Sequence, residues 1–316
     1  MSEKTASCYV GIDVSKKKLD LCILPQRIFL QEPNTGDFKE LLDKLKPYSP
    51  TLVVAESSGG YDKSVLKALF QAGIPVSQEH ALRIHHHAQS RGKRSKTDPI
   101  DAETIAHYAQ CYADQIQPMA CWDEKQERLQ QLVKRRLDLV GLCVREKNRL
   151  KAPSLCSEVQ KSCSTVLEAL QKELKQIEEQ IAQWIQKDEI LQKKKELILS
   201  VPGMGKVCAH VLLTHLPELG KKSNKTIASL VGVAPFARQS GQYRGERHIA
   251  GGRSEVRSVL FIAMMCGVRF NPVLQKFYQH LIQKGKKPKV AKIACIRKLL
   301  CILNAMLTKQ ESFQST

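Results

Sequence analysis

Four carboxylates stand where their types and spacing could do chemistry together. Asp13 lies in the middle of YVGIDVS, among Val10, Ile12 and Val14. Glu56 closes TLVVAE directly before SSGG, and Asp98 and Asp101 open KTDPIDAETIAHYA. Three residues apart, the last two share one face of a first helical turn. Pro99 suits that turn and Asp98 its N-cap. Capping alone explains Asp98 equally well, and a strand end meeting solvent explains Glu56. Asp13 has no such easy role, because an ionised acid in an apolar strand is costly unless paired or bound to a metal. Four acids from separate segments form an oxygen-donor set for Mg²⁺ or Mn²⁺. Two such ions about 4 Å apart can activate a nucleophile and stabilise a leaving oxygen in phosphodiester chemistry. Asp62 and Glu103 are further acids nearby, on expected solvent faces.

Basic residues cluster around these acids and again late in the chain. SRGKRSKT carries Arg91, Lys93, Arg94 and Lys96 just before Asp98; these form a solvated loop or hold phosphates near the carboxylates. LILSVPGMGKVCAHVLLTHL places a Pro-Gly-x-Gly turn between two apolar helices. It reads as a plain αα turn or as a helix-hairpin-helix, in which backbone N–H groups and a helix N-terminus meet a phosphate, and either reading exposes Lys206 to one. VGVAPFARQSGQYRGERHIAGGRSEVRSVLF interleaves Arg238, Arg244, Arg247, Arg253 and Arg257 with glycines around Ser240. By itself Ser240 is an ordinary loop serine, and Ser254 and Ser258 belong to the helix that follows. Lys284, Lys286, Lys287 and Lys289 form a basic loop before an apolar-faced helix. The run His85-His86-His87 reads as a polar helix face or an RNA contact rather than a metal site, since adjacent helical residues point about 100° apart.

The elements that must position these residues change character along the chain. YVGIDVS, KLDLCIL and RIFLQEP read as strands, FKELLDKLK as a short amphipathic helix, and TLVVAE as another strand. A helix over YDKSVLKALFQAG and a short strand in IPVSQEH complete an α/β layer that opens with hairpins. From Trp122 to Leu199 the pattern becomes long helices with stripes through Leu129, Leu132, Val133, Leu139, Val140, Cys143 and Leu150, then Val166, Leu170, Ile177, Ile181 and Trp184. That pattern suits an antiparallel hairpin or a coiled-coil partner surface. The last third is helical with two loop-rich interruptions.

Composition bounds the partners. A chain of 316 residues with 42% hydrophobic content folds as two or three globular domains. Its eleven scattered cysteines suit reduced core thiols rather than disulfides or a zinc site. No apolar run reaches the ~20 residues of a membrane span and the N-terminus lacks a signal-like stretch, so a cytoplasmic protein is expected. Of the net charge of +19, most lies in residues 200–316, which carry 19 Lys and Arg against 4 Asp and Glu. Such concentration is what a polyanion-binding domain needs.

The order GIDVS, a hairpin, VVAESSGG and a Lys-rich approach to TDPIDA resembles the DEDD-type insertion-sequence transposases. In that group a RuvC-like N-terminal domain is followed by a serine-bearing C-terminal domain, and a bridge RNA is used. The resemblance spans nearly the whole chain. It implies an α/β RNase H-like (RuvC-like) catalytic domain over residues 1–115, a helical coiled-coil-like middle over 116–199, and a mainly α C-terminal transposase domain over 200–316. It makes Asp13, Glu56, Asp98 and Asp101 a tetrad for Mg²⁺ or Mn²⁺. Pro235 to Gly241 reproduces a P-x-x-x-x-S-G pattern, which makes Ser240 the nucleophile that forms a phosphoserine with DNA; Gln239 departs from the small polar residue of many relatives. Further implications are double-stranded DNA partners at element ends and target, a guide RNA, a homodimer assembling to a tetramer, no membrane, and a bacterial, nucleoid-associated location. A junction-resolvase-like nuclease working through water, and a non-enzymatic basic binding protein with structural acids, are the alternatives.

Overall fold

In a computed structural model of the chain, residues 7–92, 97–237, 239–240, 243–245 and 247–314 are described, except for the side chains of Gln239, Ser240, Tyr243 and Arg244. The chain forms two compact units, Met1–Asp123 and Glu124–Thr316. The long helices expected as a separate middle region therefore belong to the second unit, because their apolar stripes share its core.

The first unit begins with β1 (Tyr9–Val14), β2 (Lys18–Leu24) and β3 (Ile28–Pro33), joined as antiparallel hairpins. Then come α1 (Lys39–Leu45), β4 (Leu52–Glu56), α2 (Lys63–Gln71), β5 (Val76–Glu79), α3 (Ala81–Ser90) and α4 (Asp98–Cys111). The sheet order is β3-β2-β1-β4-β5, with β4 and β5 parallel to β1, in agreement with the expected RNase H-like layout. Strand alternation divides the residues between two faces. Val10, Ile12, Val14, Leu19, Leu21 and Ile23 pack with Leu41 and Leu45 of α1 and with Val65, Leu66 and Leu69 of α2. On the other face Leu52 and Val54 meet Ile84, Ile105 and Tyr108, while Cys22 and Leu24 meet Ala102 and Ala106.

Gly11 sets how closely α4 lies on β1. A Cβ there would fall 2.1 Å from the Ala106 amide nitrogen and 2.4 Å from the Ala102 carbonyl oxygen. Backbone atoms cannot yield as a side chain does, so Gly11→Ala is expected to destabilise the fold by about 1–3 kcal/mol, the scale of overpacking. A lowered urea midpoint with unchanged slope would register it. The start of α4 also departs slightly from expectation. Thr97, with extended backbone, takes the N-cap position, and Asp98 is the first helical residue.

The second unit opens with α5 (Glu124–Arg149) and α6 (Ser157–Gln186). They pack antiparallel: the Arg128 guanidinium lies over the Trp184 ring at 4.9 Å, and Arg136 pairs with Glu178 at 2.7 Å, eight residues further along one helix and six back along the other. Leu129 and Val133 of α5 and Ile181 and Ile185 of α6 join one core with α7 (Glu189–Leu199), α8 (Lys206–His215), α9 (Asn224–Val231), and three later helices. Between α9 and those helices lie four two-residue strands, β6 (Pro235–Phe236), β7 (Gln239–Ser240), β8 (Tyr243–Arg244) and β9 (His248–Ile249). The later helices are α10 (Ser254–Phe270), α11 (Pro272–Gln283) and α12 (Pro288–Lys309). All eleven cysteines are free, yet Cys111, Cys121, Cys156 and Cys266 are exposed rather than in the core. Among the described residues no single helix is long and apolar enough to cross a membrane.

Candidate active site

Register across the first sheet lines up a row of acids. Asp13 pairs with Asp20, Asp20 with Gln31, and Glu56 with Glu79, while the pairing of Ile12 with Ala55 sets Glu56 beside Asp13. Alternation puts all of them on the face that α4 covers, because Leu52, Val54, Cys22 and Leu24 face that helix. Gly11 meets Ala102 and Ala106. Two residues further up β1 and one turn back down α4, Asp13 comes within range of Asp98 and Asp101.

The electrostatics register this convergence. Burial, then Asp101, Asp98, Glu56 and Asp20 in that order, push the Asp13 carboxyl up to about 6. The four acids singled out from the sequence are thus brought together, and Asp20 joins them. Asp20 is 5% exposed, accepts a 2.7 Å hydrogen bond from Gln31 Nε2, and was missed by the sequence reading. Its signal was available: in KLDLCIL the alternation buries Leu19, Leu21 and Ile23, which turns Asp20 to the same face as Asp13.

Among the described residues, Lys18 pairs with acids of this cluster. Its Nζ lies 2.5 Å from Asp98 Oδ2 and 3.2 Å from Asp20 Oδ2, and the Asp98 contact holds that carboxyl below the usual range. Of the basic turn after β1, Lys16 and Lys17 are exposed and only Lys18 turns to the acids. At the far end of the row Glu79 pairs with Arg83 at 2.7 Å and accepts a 3.4 Å bond from the Tyr108 hydroxyl. Burial and Glu79 push that phenol up to about 12. A partly buried cluster of carboxylates, one of them raised by burial and by its acidic neighbours, offers oxygen donors that fit a hard divalent cation.

The two acids expected on solvent faces are elsewhere. Asp62 is fully buried; its Oδ1 accepts from Ser58 N at 3.2 Å, Ser58 Oγ at 3.0 Å and Gly60 N at 3.3 Å, and Gln78 donates to its Oδ2. It organises the SSGG turn that follows Glu56. Glu103 is largely covered and pairs with Arg27 at 2.8 Å.

Ser240 belongs to a short hairpin arm of the second unit rather than to an irregular loop. Pro235 pairs with Ile249 and Phe236 with His248; further out Gln239 pairs with Arg244 and Ser240 with Tyr243. Ser240 is therefore in the outermost described pair of the arm. The base of the arm is tightly built. Gly232 ends α9 with φ +73°, and a Cβ there would lie 2.1 Å from the Gly251 carbonyl oxygen. Arg257 donates to that oxygen at 2.6 Å and to Val231 O at 3.1 Å. The guanidinium of Arg253 forks onto both oxygens of Glu218 at 2.6 Å and donates to His215 O at 2.9 Å. Both arginines, expected to face nucleic acid, are thus engaged within the fold.

The remaining basic residues divide as follows. Arg91, Lys206, Arg247, Lys286, Lys287 and Lys289 are exposed. Lys93, Arg94, Lys96 and Arg238, with the side chains of Arg244 and Ser240, lie outside the described residues. Lys206 starts α8, after a turn in which Gly203, φ +91°, packs against Gly267 of α10 at 2.7 Å from its virtual Cβ. Close helix packing is thus one reason for glycine in that turn. Ser254 and Ser258 lie in α10, as expected.

Residues 10–153 match a family model of DEDD-type IS110 transposases, described as Transposase, and residues 195–279 match one described as Transposase IS116/IS110/IS902 family. Together the two regions take in most of the chain. Pilin gene-inverting proteins of Moraxella bovis and Moraxella lacunata are each 29% identical to it over 319 aligned residues, covering 96% of this chain and 97% of theirs. Among solved structures, Thermus thermophilus RuvC in complex with a Holliday junction substrate is similar over 36% of this chain and 100% of its own, at 18% identity and a TM-score of 0.30. RuvC of the same organism without substrate shares 19% identity at a TM-score of 0.28, over 35% of this chain and 99% of its own.

Proposed function

We propose, given that this chain belongs to the IS116/IS110/IS902 family of transposases, that it cuts and rejoins DNA through the acidic tetrad Asp13, Glu56, Asp98 and Asp101 together with Ser240 as nucleophile. The family makes it an enzyme of DNA recombination, acting by strand cleavage and transfer. The observation that carries the finer reading is Asp13, raised to about 6 by burial and by the other three acids and Asp20. A half-buried carboxyl that feels four other acids is suited to sharing a cation with them.

In this reading the four carboxylates would hold Mg²⁺ or Mn²⁺, which would supply electrophilic stabilisation of the phosphodiester oxygens. Ser240 Oγ attacks phosphorus, the P–O bond to one deoxyribose breaks, and a phosphoserine keeps the bond energy for rejoining. A hydroxyl of the recipient strand then attacks the phosphoserine and releases Ser240. Exposed Arg247 on the arm and the exposed lysines before α12 supply positive charge toward the DNA backbone. Tetrad and serine lie in different units, and strand transfer depends on both, in a homodimer that assembles to a tetramer. A bridge RNA selects the sites. Relatives named as gene-inverting proteins support strand exchange between paired sites. Trapping the protein–DNA adduct on a denaturing gel and mapping its attachment residue tests this function directly; attachment elsewhere than Ser240 overturns it.

Lys18 yields a separate prediction. Its ammonium competes with a metal ion for Asp98. Lys18→Met is expected to tighten Mn²⁺ binding by about tenfold, the equivalent of one screened charge interaction at a few ångströms. Calorimetric titration measures it, and unchanged affinity would separate Lys18 from the metal site.

A further inference from the structure

Outside the acidic row, the fold brings a side chain of α3 to two neighbouring side chains of α4. His87 of α3 and His107 of α4 have stacked rings, with centroids 5.2 Å apart. His87 Nε2 lies 3.0 Å from His107 Nδ1, and Cys111 Sγ lies 3.4 Å from the same Nδ1. One helical turn separates His107 from Cys111, so both project from one side of α4. Donor atoms of all three residues lie within 4.8 Å of one another.

We propose that His87, His107 and Cys111 form a binding site for a transition-metal ion of the Zn²⁺ class, distinct from the carboxylate cluster. Tetrahedral zinc, with Zn–N near 2.0–2.1 Å and Zn–S near 2.3 Å, spaces neighbouring N···N ligands at about 3.3 Å and N···S at about 3.6 Å. The observed separations of 3.0 and 3.4 Å need only a few tenths of an ångström of opening. Two nitrogens and one sulfur select zinc-like ions over Mg²⁺, which prefers oxygen.

His87 is 7% exposed, and its Nδ1 is buried without a hydrogen-bond partner among the described residues. That Nδ1 is on the other edge of the ring from the Nε2 that faces His107, so what favours an ion is the convergence of donor atoms from three residues within 4.8 Å. Burial, His107 and Arg91 hold the His87 imidazole below its ordinary value, so it is neutral and able to ligate at physiological pH. Cys111 is exposed, and His107 lines an open cleft of about 460 Å³, which gives an ion a way in. On binding, the Cys111 thiol releases its proton to solvent and the thiolate bonds the metal. Three protein ligands leave a fourth position for water. The ion would staple α3 to α4, the helix whose first turn carries Asp98 and Asp101.

From the sequence the run His85-His86-His87 reads as a polar helix face or an RNA contact rather than a metal site, and His85 and His86 are exposed. His87 alone turns inward. The partners it meets there are 20 and 24 residues away, beyond any local spacing rule.

The test is titration of the full-length protein with Co²⁺ in excess Mg²⁺. One equivalent is expected to give a near-ultraviolet thiolate-to-cobalt charge-transfer band with the visible absorption of tetrahedral cobalt, both abolished by Zn²⁺. Cys111→Ser and His107→Ala should each remove the charge-transfer band, whereas Cys121→Ser, at another exposed thiol, should keep it. Position 111 is exposed, so the serine variant retains the fold, as unchanged circular dichroism will verify. No charge-transfer band at one equivalent, or a band that survives Cys111→Ser, overturns the site.

Discussion

Ser240→Ala is expected to abolish the covalent protein–DNA adduct and to lower strand transfer on the order of 10⁶-fold, the scale on which removing a nucleophile acts. Metal binding and thermal stability should be unchanged. Ser240 occupies the outermost pair of a two-residue ladder in the second unit, while the carboxylates lie in the first. A radiolabelled substrate resolved on a denaturing gel shows the adduct, and scanning calorimetry with and without Mg²⁺ covers the rest. Cleavage retained by the variant would point to water as the nucleophile and to a resolvase-like nuclease instead. Loss of adduct with intact metal binding leaves the serine mechanism standing.

Asp13→Asn has opposite effects on activity and on stability. Strand cleavage is expected to fall on the order of 10²–10³-fold, as when one electrostatic group is taken from a transition state. The metal-free chain should nevertheless become more stable at neutral pH, by about 1–2 kcal/mol after discounting for the carboxyl's partial exposure to water. Linkage gives the sign. Asp13 has an ordinary value near 3.9 when unfolded and about 6 when folded. Between those limits the folded state binds the proton more tightly, so the contribution of Asp13 to metal-free stability is greatest below about pH 4 and falls as pH rises through 6. Asparagine removes that part of the slope. Mg²⁺ should raise the melting temperature of the parent protein at pH 7 and do little at pH 4, with most of the gain missing in the variant. Melting curves from pH 4 to 8, with and without Mg²⁺, measure all of this. A variant less stable than the parent at pH 7 would mean that Asp13 is structural.

Much of the first unit was legible because its signals are local. The strands around GIDVS and TLVVAE alternate with period two, the helix after TDPIDA has its proline in the first turn, and the cost of a mid-strand acid pointed to Asp13 without any knowledge of its neighbours. Family resemblance rested on the same short segments, and the two matched regions agree with it. Ser240 was visible only through a pattern, because a serine followed by glycine has no physical signature of its own.

The sequence by itself determined the class of the first unit, the four acids worth watching, and the concentration of positive charge after residue 200. Those properties depend on residue type and on spacing within about ten positions. Tertiary structure alone decided that Asp20 completes a row with Asp13, that Lys18 rather than Lys16 or Lys17 answers the acids, and that Asp62 is a buried organiser of the turn after Glu56. It also decided that Arg253 and Arg257 brace the arm, and that His87 meets His107 and Cys111. Each depends on strand order, on register, or on the closeness of α4 to Gly11. Contacts such as Lys18 with Asp98 and His87 with His107 and Cys111 join residues distant along the chain, and no local periodicity encodes that they will meet.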